Sequence, residues 1–254
     1  MISRILAAFS FFTRLPLWRL ADIPSAAYSR VVELWPFVGW LTGGLTAVLL
    51  LAFLCVFPPV VAVILAYVGR LLLTGALHED GMADFIDGMG GGRTRERVLE
   101  IMKDSHIGSY GVIGLICYYL LLISCVASLP VNLIPFLVFA ADPWGKFCAE
   151  LTVGHLPYAR NAEQAKNKTV YRRIGPLILA CGAVGGFLPT LLIPPVYWLA
   201  AILPLLTAIG LILWMRKRIG GYTGDCCGAA FLCCELAFIL SATLINHVLE
   251  AVYL

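Results

Sequence analysis

The segment His78–Gly88 concentrates side chains that could perform metal-assisted chemistry. Asp80, Asp84 and Asp87 are spaced i, i+4 and i+7, which places the three carboxylates on one face of a helix. Three anions on one face repel one another unless a cation lies among them, and their oxygens suit Mg²⁺ or, as a second choice, Mn²⁺. The sequence therefore predicts a metal site at these three residues, with Glu79 as a weaker additional ligand.

The same segment supplies candidates for proton transfer. Asp84 and Asp87 are the first choices for accepting a proton from a substrate hydroxyl, and His78 could act as a general base or donate to a phosphate. The alternatives are a solvated acidic loop for the carboxylates and a packing or capping role for the histidine.

A glycine- and arginine-rich segment follows the acidic one. The backbone of Gly90–Gly92 and the guanidinium of Arg93 could hold phosphate oxygens, although a plain flexible connector is an equal alternative. Thr94 is a candidate cap for the short amphipathic helix predicted after it.

Two later polar segments each precede a long apolar run. In the first, Lys103 and Asp104 provide an ammonium and a carboxylate, and Ser105 is a candidate helix cap. In the second, Thr223 and Asp225 lie in a glycine-rich stretch at a predicted helix N-terminus, which suits an anion or a metal–phosphate pair. Each segment could also be a simple turn into a helix.

Several charged residues lie within or beside apolar runs. Asp142, Lys146 and Glu150 are spaced i, i+4 and i+8 in one run, so Lys146 could reach a phosphate or form a structural ion pair. Glu235 has no evident partner nearby in the sequence, and Arg14 could extend toward lipid headgroups.

The composition places these groups in a membrane protein. Hydrophobic residues make up 61% of the 254 residues and charged residues 13%, with a mean hydropathy of +0.91, whereas soluble domains carry about 25% charged residues. A soluble domain of this length could not bury so much apolar surface. The net charge of +3 and the short basic clusters give little support for nucleic-acid binding.

Seven apolar runs are long enough to span a bilayer, so the predicted fold is an all-α integral membrane protein with about seven transmembrane helices. Prolines lie in three very short connections between neighbouring runs, which indicates tight hairpins. The runs are Leu34–Phe57, Val60–Ala76, Tyr110–Leu129, Val131–Val153, Ile174–Ile193, Val196–Met215 and Ala229–Val248.

The distribution of basic residues predicts the orientation. With the N-terminus in the cytoplasm, the segments 1–33, 77–109, 154–173 and 216–228 are cytoplasmic and contain 16 of the 18 lysines and arginines. We therefore predict one polytopic domain over residues 1–254, with an interfacial N-terminal segment (1–33), an acidic-motif loop (77–109) and a glycine-rich loop (216–228). All the long polar segments then lie on the cytoplasmic face, where the active site is expected.

The combined motifs resemble those of the cobalamin synthase family, the adenosylcobinamide-GDP ribazoletransferases. The resemblance extends over nearly the whole chain in the family's order. The matching residues are Phe12–Pro16, His78–Asp84 with Asp87-Gly88, Met102–Ser105 with Gly108, and Gly220-Gly221 with Thr223–Asp225.

The resemblance implies a Mg²⁺-dependent enzyme of the bacterial cytoplasmic membrane. It would join α-ribazole, or its 5′-phosphate, to adenosylcobinamide-GDP and release GMP, and we expect the ribazole 5′-oxygen to attack. Carried over by motif, the metal-binding set is Asp80, Asp84, Asp87, Asp104 and Asp225. The expected substrate-binding residues are Arg14, Arg93, Lys103, Ser105, Lys146 and Thr223.

Two other classes are compatible with parts of the pattern. A CDP-alcohol phosphotransferase acting on lipids also uses helical aspartates with Mg²⁺. The Asp-Gly-x2-Ala-Arg start of its signature is absent here, since Ala83 is followed by Asp84. A transporter is less favoured, because the acidic groups gather at one interface rather than at mid-membrane. A homo-oligomer is left open, since no motif indicates one.

Overall fold

The protein is a bundle of α-helices with short 3₁₀ segments. The computed structural model describes residues 1–160 and 171–253, and within these ranges it contains no β-strand, which confirms the predicted all-helical class. Residues 161–170, part of the predicted cytoplasmic segment 154–173, lie outside the described residues. The α-helices are α1 (Ile2–Phe12), α2 (Ser25–Tyr28), α3 (Trp35–Leu54), α4 (Pro59–Thr74), α5 (Leu77–Gly91), α6 (Arg95–Ile101), α7 (Ser109–Ala127), α8 (Ile134–His155), α9 (Pro176–Phe187), α10 (Ile202–Ile219) and α11 (Gly224–Tyr253).

Each of the seven predicted spans corresponds to a helix, but not every helix has the length and composition of a span. Among the described residues, four helices are long and apolar enough to cross a membrane, or five if a sharply bent pair counts as one. The helix α8 carries three charged residues, and α9 has only 12 residues before a 3₁₀ segment continues it. The four are Val31–Leu54, Ser109–Ala127, Pro195–Ile219 and Gly224–Val252. The number seven and the orientation stay predictions.

The acidic motif lies on a helix of its own rather than on a continuation of the second span. The helices α4 and α5 meet at a bend of 91°. Gly75 (φ +65°) and Ala76 (φ +56°) both adopt the left-handed conformation at this corner, which ends α4 because that conformation cannot continue a right-handed helix. The Arg14 N–H donates to the Leu73 carbonyl, and the Arg14 guanidinium packs over Gly75. The segment 77–109, predicted as a loop, therefore contains two helices, α5 and α6.

The helices α8 and α11 form the centre of the bundle. The helix α8 packs against α3, α9, α10 and α11, and α11 also packs against α5 and α7. Small residues permit a close approach of α3 to α8. A Cβ on Gly39 would lie 2.6 Å from the Pro143 Cα, and one on Gly43 would lie 2.8 Å from the Asp142 Cβ. Two glycines four residues apart are typical of close helix packing in membranes.

Five charged side chains meet where α4, α5, α8 and α11 converge, and we call them the buried charge network: Arg70, Glu79, Asp142, Lys146 and Glu235. All five are at most 5% exposed. Arg70 pairs with Glu235 and lies 3.7 Å from Asp142, and a second Arg70 nitrogen lies 3.8 Å from Glu79. Lys146 pairs with Asp142. The network thus contains three carboxylates and two cations.

Hydroxyl groups and an aromatic ring complete the buried charge network. The Thr42 hydroxyl lies within hydrogen-bonding distance of Asp142. The Tyr118 hydroxyl donates to Glu235 at 2.8 Å, and the Tyr119 hydroxyl donates to Glu79 at 3.1 Å. The Lys146 ammonium lies 3.8 Å from the centroid of the Phe231 ring. Because these groups come from α3, α7, α8 and α11, the network ties most of the long helices together.

The buried charge network predicts a large cost for removing its central cation. Arg70→Met would leave three buried carboxylates with only Lys146 as a charge partner, so we expect the free energy of unfolding to fall by about 3–5 kcal/mol. Chemical unfolding in detergent micelles, followed by circular dichroism, measures this change. Lys217→Met, at an exposed position of α10, is the control, and an Arg70→Met effect no larger than the control's would contradict the structural role.

Candidate active site

The first turns of α5 and α11 are in close contact. A Cβ on Gly81 would lie 3.1 Å from the Asp225 Cα, and a Cβ on Gly228 would lie 3.0 Å from the His78 carbonyl oxygen. Backbone atoms cannot move aside as a flexible side chain would, so glycine at both positions permits this contact. The contact brings Asp80 to the same site as Asp225, which comes from the far end of the sequence.

A cavity of about 120 Å³ opens between these two helix starts. Its polar side chains include two carboxylates and one guanidinium, those of Asp80, Asp225 and Arg160. The other lining side chains are mainly aromatic rings from α1, from the start of α3 and from the loops. The lining residues that carry the site are Phe11, Phe12, Trp35, His78, Asp80, Tyr158, Arg160, Tyr171 and Asp225.

Thr223 caps the helix that carries Asp225. Its buried hydroxyl accepts a hydrogen bond from the Cys226 N–H at 3.4 Å, which is the geometry of a helix N-cap. The same hydroxyl lies 3.2 Å from Asp225 Oδ2 and donates to it. The structure therefore gives Thr223 a clear role in orienting Asp225, and the predicted contact of Thr223 with substrate stays a prediction.

Arg160 is a site residue that sequence reasoning missed. Its side chain is only 4% exposed, its Nη2 donates to the Leu99 carbonyl at 3.0 Å, and the same nitrogen lies 4.0 Å from Asp225 Oδ2. In the sequence Arg160 is one of several basic residues in the segment 154–173, which the predicted membrane orientation already explained. No motif or spacing distinguished it from the others. A buried arginine that lines a cavity suits a phosphate ligand.

A short backbone pairing holds Arg160 in place. Tyr158 and Tyr222 form an isolated parallel β-bridge, in which the Ala159 N–H donates to the Tyr222 carbonyl at 2.8 Å and the Tyr222 N–H donates to the Pro157 carbonyl at 3.0 Å. A Cβ on Gly221 would overlap the Pro157 carbonyl oxygen. The glycine-rich loop before α11 thus positions Arg160 as well as Asp225.

The spacing of Asp87 predicted that it shares a metal ion with Asp80 and Asp84, but its carboxylate accepts hydrogen bonds from the backbone at the start of α7. Its Oδ2 accepts from the Gly108 N–H at 2.7 Å, and its Oδ1 accepts from the Gly111 N–H at 2.9 Å. These donors lie at the start of α7, where a carboxylate offsets the positive end of the helix dipole. Asp87 rather than Ser105 caps α7, and Ser105 is exposed. The catalytic and metal-binding roles predicted for Asp87 stay predictions.

The predicted metal-binding residues are divided between environments. All three aspartates of the motif lie on α5 as the spacing indicated, with Asp80 exposed and Asp84 buried. Asp84 does not line the cavity, and Glu79 belongs to the buried charge network. Within residues 1–160 and 171–253, no three acidic, histidine or cysteine side chains form a ready metal site. The cavity therefore offers two carboxylates, Asp80 and Asp225.

His78 is packed among aromatic rings. It stacks on Phe12 and Trp35 with ring centroids 6.1 and 5.8 Å away, and it contacts the Phe231 ring edge to face at 4.8 Å. The packing alternative for this histidine therefore has structural support. Since His78 also lines the cavity, its predicted catalytic role stays a prediction.

Comparisons with known proteins agree over most of the chain. Residues 4–243 match the model of a family described as cobalamin-5-phosphate synthase. The chain belongs to this family. The resemblance seen in the motifs is thereby confirmed.

Three curated relatives illustrate the match, and all three are named adenosylcobinamide-GDP ribazoletransferase. One from Pseudoalteromonas atlantica is 39% identical over 249 residues, which cover 93% of this chain and 89% of the relative. One from Shewanella sp. strain W3-18-1 is 35% identical, covering 98% and 96%. One from Vibrio cholerae is 34% identical, covering 95% and 94%. No solved structure matched the chain.

Three other predicted site residues of this cobalamin-5-phosphate synthase family member, Arg93, Lys103 and Asp104, do not line the cavity. Lys103 lines a neighbouring recess that Arg160 shares, and Arg93 is exposed on the connection to α6. Asp104 is exposed and binds His106 at 2.7 Å, and this hydrogen bond holds the pKa of the Asp104 carboxyl below its ordinary value. The contacts predicted for these residues with substrate or metal stay predictions.

Arg14 and Lys146, two more predicted substrate-binding residues, have structural contacts. Arg14 packs at the corner between α4 and α5, and its exposed side chain leaves substrate contact as a prediction. Lys146 is fully buried and donates to Asp142 and Thr42. This geometry favours the structural ion pair for Lys146 over contact with a phosphate.

The pairing at Gly221 predicts a sensitive position away from the cavity. Gly221→Ala would push the 157–160 segment away and displace Arg160, and a displacement of about 1 Å at such a site can cost roughly 100-fold in rate. Turnover of the purified protein in liposomes measures this loss. Gly210→Ala is the matched control, because nothing lies within 4 Å of the added methyl group there. Equal activity of the two variants would contradict the positioning role of the pairing.

Proposed function

We propose that the protein is an adenosylcobinamide-GDP ribazoletransferase and that the cavity between α5 and α11 is its active site. The observation that carries this proposal is the meeting of Asp80, Asp225 and Arg160 at one cavity in a member of the cobalamin-5-phosphate synthase family. The relatives' name supplies the substrates, adenosylcobinamide-GDP and a ribazole acceptor. The family match leaves the CDP-alcohol phosphotransferase and transporter interpretations without support.

The reaction replaces a phosphoanhydride bond with a phosphodiester bond. An acceptor hydroxyl oxygen forms a bond to the phosphorus attached to cobinamide, the bond from that phosphorus to the bridging oxygen breaks, and GMP leaves with the bridging oxygen. The family's description names a 5-phosphate product, so the 5′-oxygen of a phosphorylated acceptor is already occupied. The attacking group is then another ribose hydroxyl, and our expectation of a 5′ attack is corrected for that acceptor.

The cavity residues can perform the required steps on this substrate. Arg160 would hold a phosphate oxygen of the pyrophosphate by a charge-assisted hydrogen bond. Asp80 or Asp225 would accept the proton of the attacking hydroxyl, since both carboxylates line the cavity. Asp84, a first choice from the sequence, lies one helical turn beyond Asp80 and is the third candidate for this role.

The carboxylates of this site match the way in which proteins bind Mg²⁺ together with a phosphate substrate. Such ions are held by one or two protein carboxylates, with substrate phosphates and waters completing the shell. Whichever of Asp80 and Asp225 does not accept the proton would provide one carboxylate for the ion, and Asp84 and Asp104 stay as predicted additional ligands. When bound, Mg²⁺ would neutralise charge on the transferring phosphoryl and on the leaving group.

The central test measures GMP release and product formation in parallel. Purified protein in liposomes receives Mg²⁺, adenosylcobinamide-GDP and α-ribazole. We expect Asp80→Asn and Asp225→Asn to reduce turnover at least about 100-fold, as loss of a group that stabilises developing charge does, and EDTA to abolish it until Mg²⁺ is restored. Asp22→Asn, at an exposed position that does not line the cavity, is the control.

The outcomes separate the assignments. Folded wild-type protein that releases no GMP would overturn the ribazoletransferase proposal. Normal turnover in both cavity variants, together with loss in Asp84→Asn, would move the site to the buried face of α5. Activity that persists in EDTA would remove the Mg²⁺ proposal.

We propose the bacterial cytoplasmic membrane as the location, with the cavity on the cytoplasmic side. The concentration of lysine and arginine in four segments supports this orientation. Alkaline phosphatase fused after residue 254 is expected to be active, because it would lie on the opposite side, whereas the same enzyme fused after Lys217 should be inactive. Activity of both fusions, or of the second alone, would contradict the orientation.

A further inference from the structure

The apolar wall of the cavity is assembled from rings that lie far apart in the sequence, and we call it the aromatic recess: Phe11, Phe12, Trp35, His78 and Tyr171. The Phe12 and Trp35 rings are nearly parallel, with centroids 5.1 Å apart, and the His78 ring lies at 20° to that of Trp35. The Phe11 and Tyr171 rings meet edge to face at 6.2 Å. All five side chains line the cavity.

Two ring nitrogens of the aromatic recess lack a hydrogen-bond partner among the described residues. They are Trp35 Nε1 and His78 Nε2, on residues that are 1% and 3% exposed. Buried polar atoms in folded proteins nearly always have a partner, because leaving one without costs stability. Since both residues line the cavity, a bound molecule could provide the missing partner.

We propose that the aromatic recess binds the heteroaromatic base of the ribazole acceptor, and that Trp35 Nε1 donates a hydrogen bond to the unsubstituted ring nitrogen of that base. This inference rests on the proposed ribazoletransferase function. A benzimidazole base is flat and apolar except for one acceptor nitrogen, and indole Nε1–H is a donor only. Aromatic side chains bind such rings by stacking and edge contacts.

The guanine of the other substrate suits a different part of the site. Its Watson–Crick edge presents N–H donors, for which carboxylates are strong acceptors, and the aromatic recess contains no carboxylate among its five side chains. The neighbouring recess offers two carboxylates, Glu96 and Glu100, beside the cations Arg95 and Lys103, and it shares Arg160 with the cavity. Arg160 therefore lines both the cavity that contains the aromatic recess and a charged recess with carboxylate acceptors, as expected if it holds the phosphates between acceptor base and guanine.

The test compares α-ribazole with the riboside of 5,6-dimethylindole, in which a C–H replaces the ring nitrogen. Binding to the detergent-solubilised protein is measured by calorimetry without corrinoid, and KM for each acceptor is measured in the transfer assay. We expect the wild type to favour α-ribazole about 3- to 10-fold, the contribution of one hydrogen bond. Trp35→Phe, which keeps a ring but removes the N–H, should abolish this preference.

The chain provides a matched control on the same helix. Trp40 also lies on α3, and its Nε1 donates to the Gly185 carbonyl at 2.8 Å, away from the cavity. Trp40→Phe should therefore leave the acceptor preference unchanged. Because the preference is a ratio within one sample, partial unfolding of Trp35→Phe does not alter it.

The possible results distinguish this inference from the proposed function. A wild type that binds α-ribazole with the expected preference but transfers nothing would support base binding in the aromatic recess and overturn the proposed ribazoletransferase function. The assignment of the aromatic recess to the acceptor base would be overturned if Trp35→Phe kept the wild-type acceptor preference during transfer. It would also be overturned if the wild type showed no preference. Weaker GMP binding in Trp35→Phe, with competition between GMP and α-ribazole, would assign the recess to guanine instead. A wild type that neither binds α-ribazole nor transfers it would overturn both proposals.

Discussion

The pairing of Arg70 with Glu235 is the interaction on which the rest of the structure depends. Burying ions among helices is costly unless each charge has a partner and the remaining polar atoms are hydrogen-bonded. Arg70 joins α4 to α11, and Lys146 and Asp142 of α8 extend the same cluster. Tyrosine and threonine hydroxyls from α3 and α7 are directed at the carboxylates. The charges therefore meet partners of opposite sign only when these helices pack together in this arrangement.

This cluster also explains how the candidate site is held. Glu79 and Asp80 are consecutive residues, and neighbours on a helix point about 100° apart because a turn contains 3.6 residues. Glu79 faces the buried charge network, where it meets Arg70 and Tyr119, while Asp80 faces the cavity. One turn of α5 thus carries a structural carboxylate on one side and a candidate catalytic carboxylate on the other.

The cavity combines two kinds of surface that a transfer between large substrates requires. Asp80, Asp225 and Arg160 contribute two carboxylates and a guanidinium, the kind of groups that act on charge developing during phosphoryl transfer. Aromatic rings from α1, α3 and the loops contribute apolar surface to the same cavity. The polar groups are supported by backbone contacts, through the cap at Thr223 and the bridge at Tyr222, rather than by flexible side chains alone.

The sequence alone predicted the helical class, the apolar segments, the family and the i, i+4, i+7 spacing of Asp80, Asp84 and Asp87. Helix periodicity, hydropathy and motif order can be read along the chain without knowing which segments pack together. The roles within that spacing could not be read in this way. Asp87 binds the start of α7, and Asp80 meets Asp225, because two left-handed residues bend the chain at Gly75 and glycines let α5 touch α11. Arg160 and the ring partners of Trp35 were likewise decided by tertiary structure, since segments distant in sequence must pack before their side chains can share a cavity.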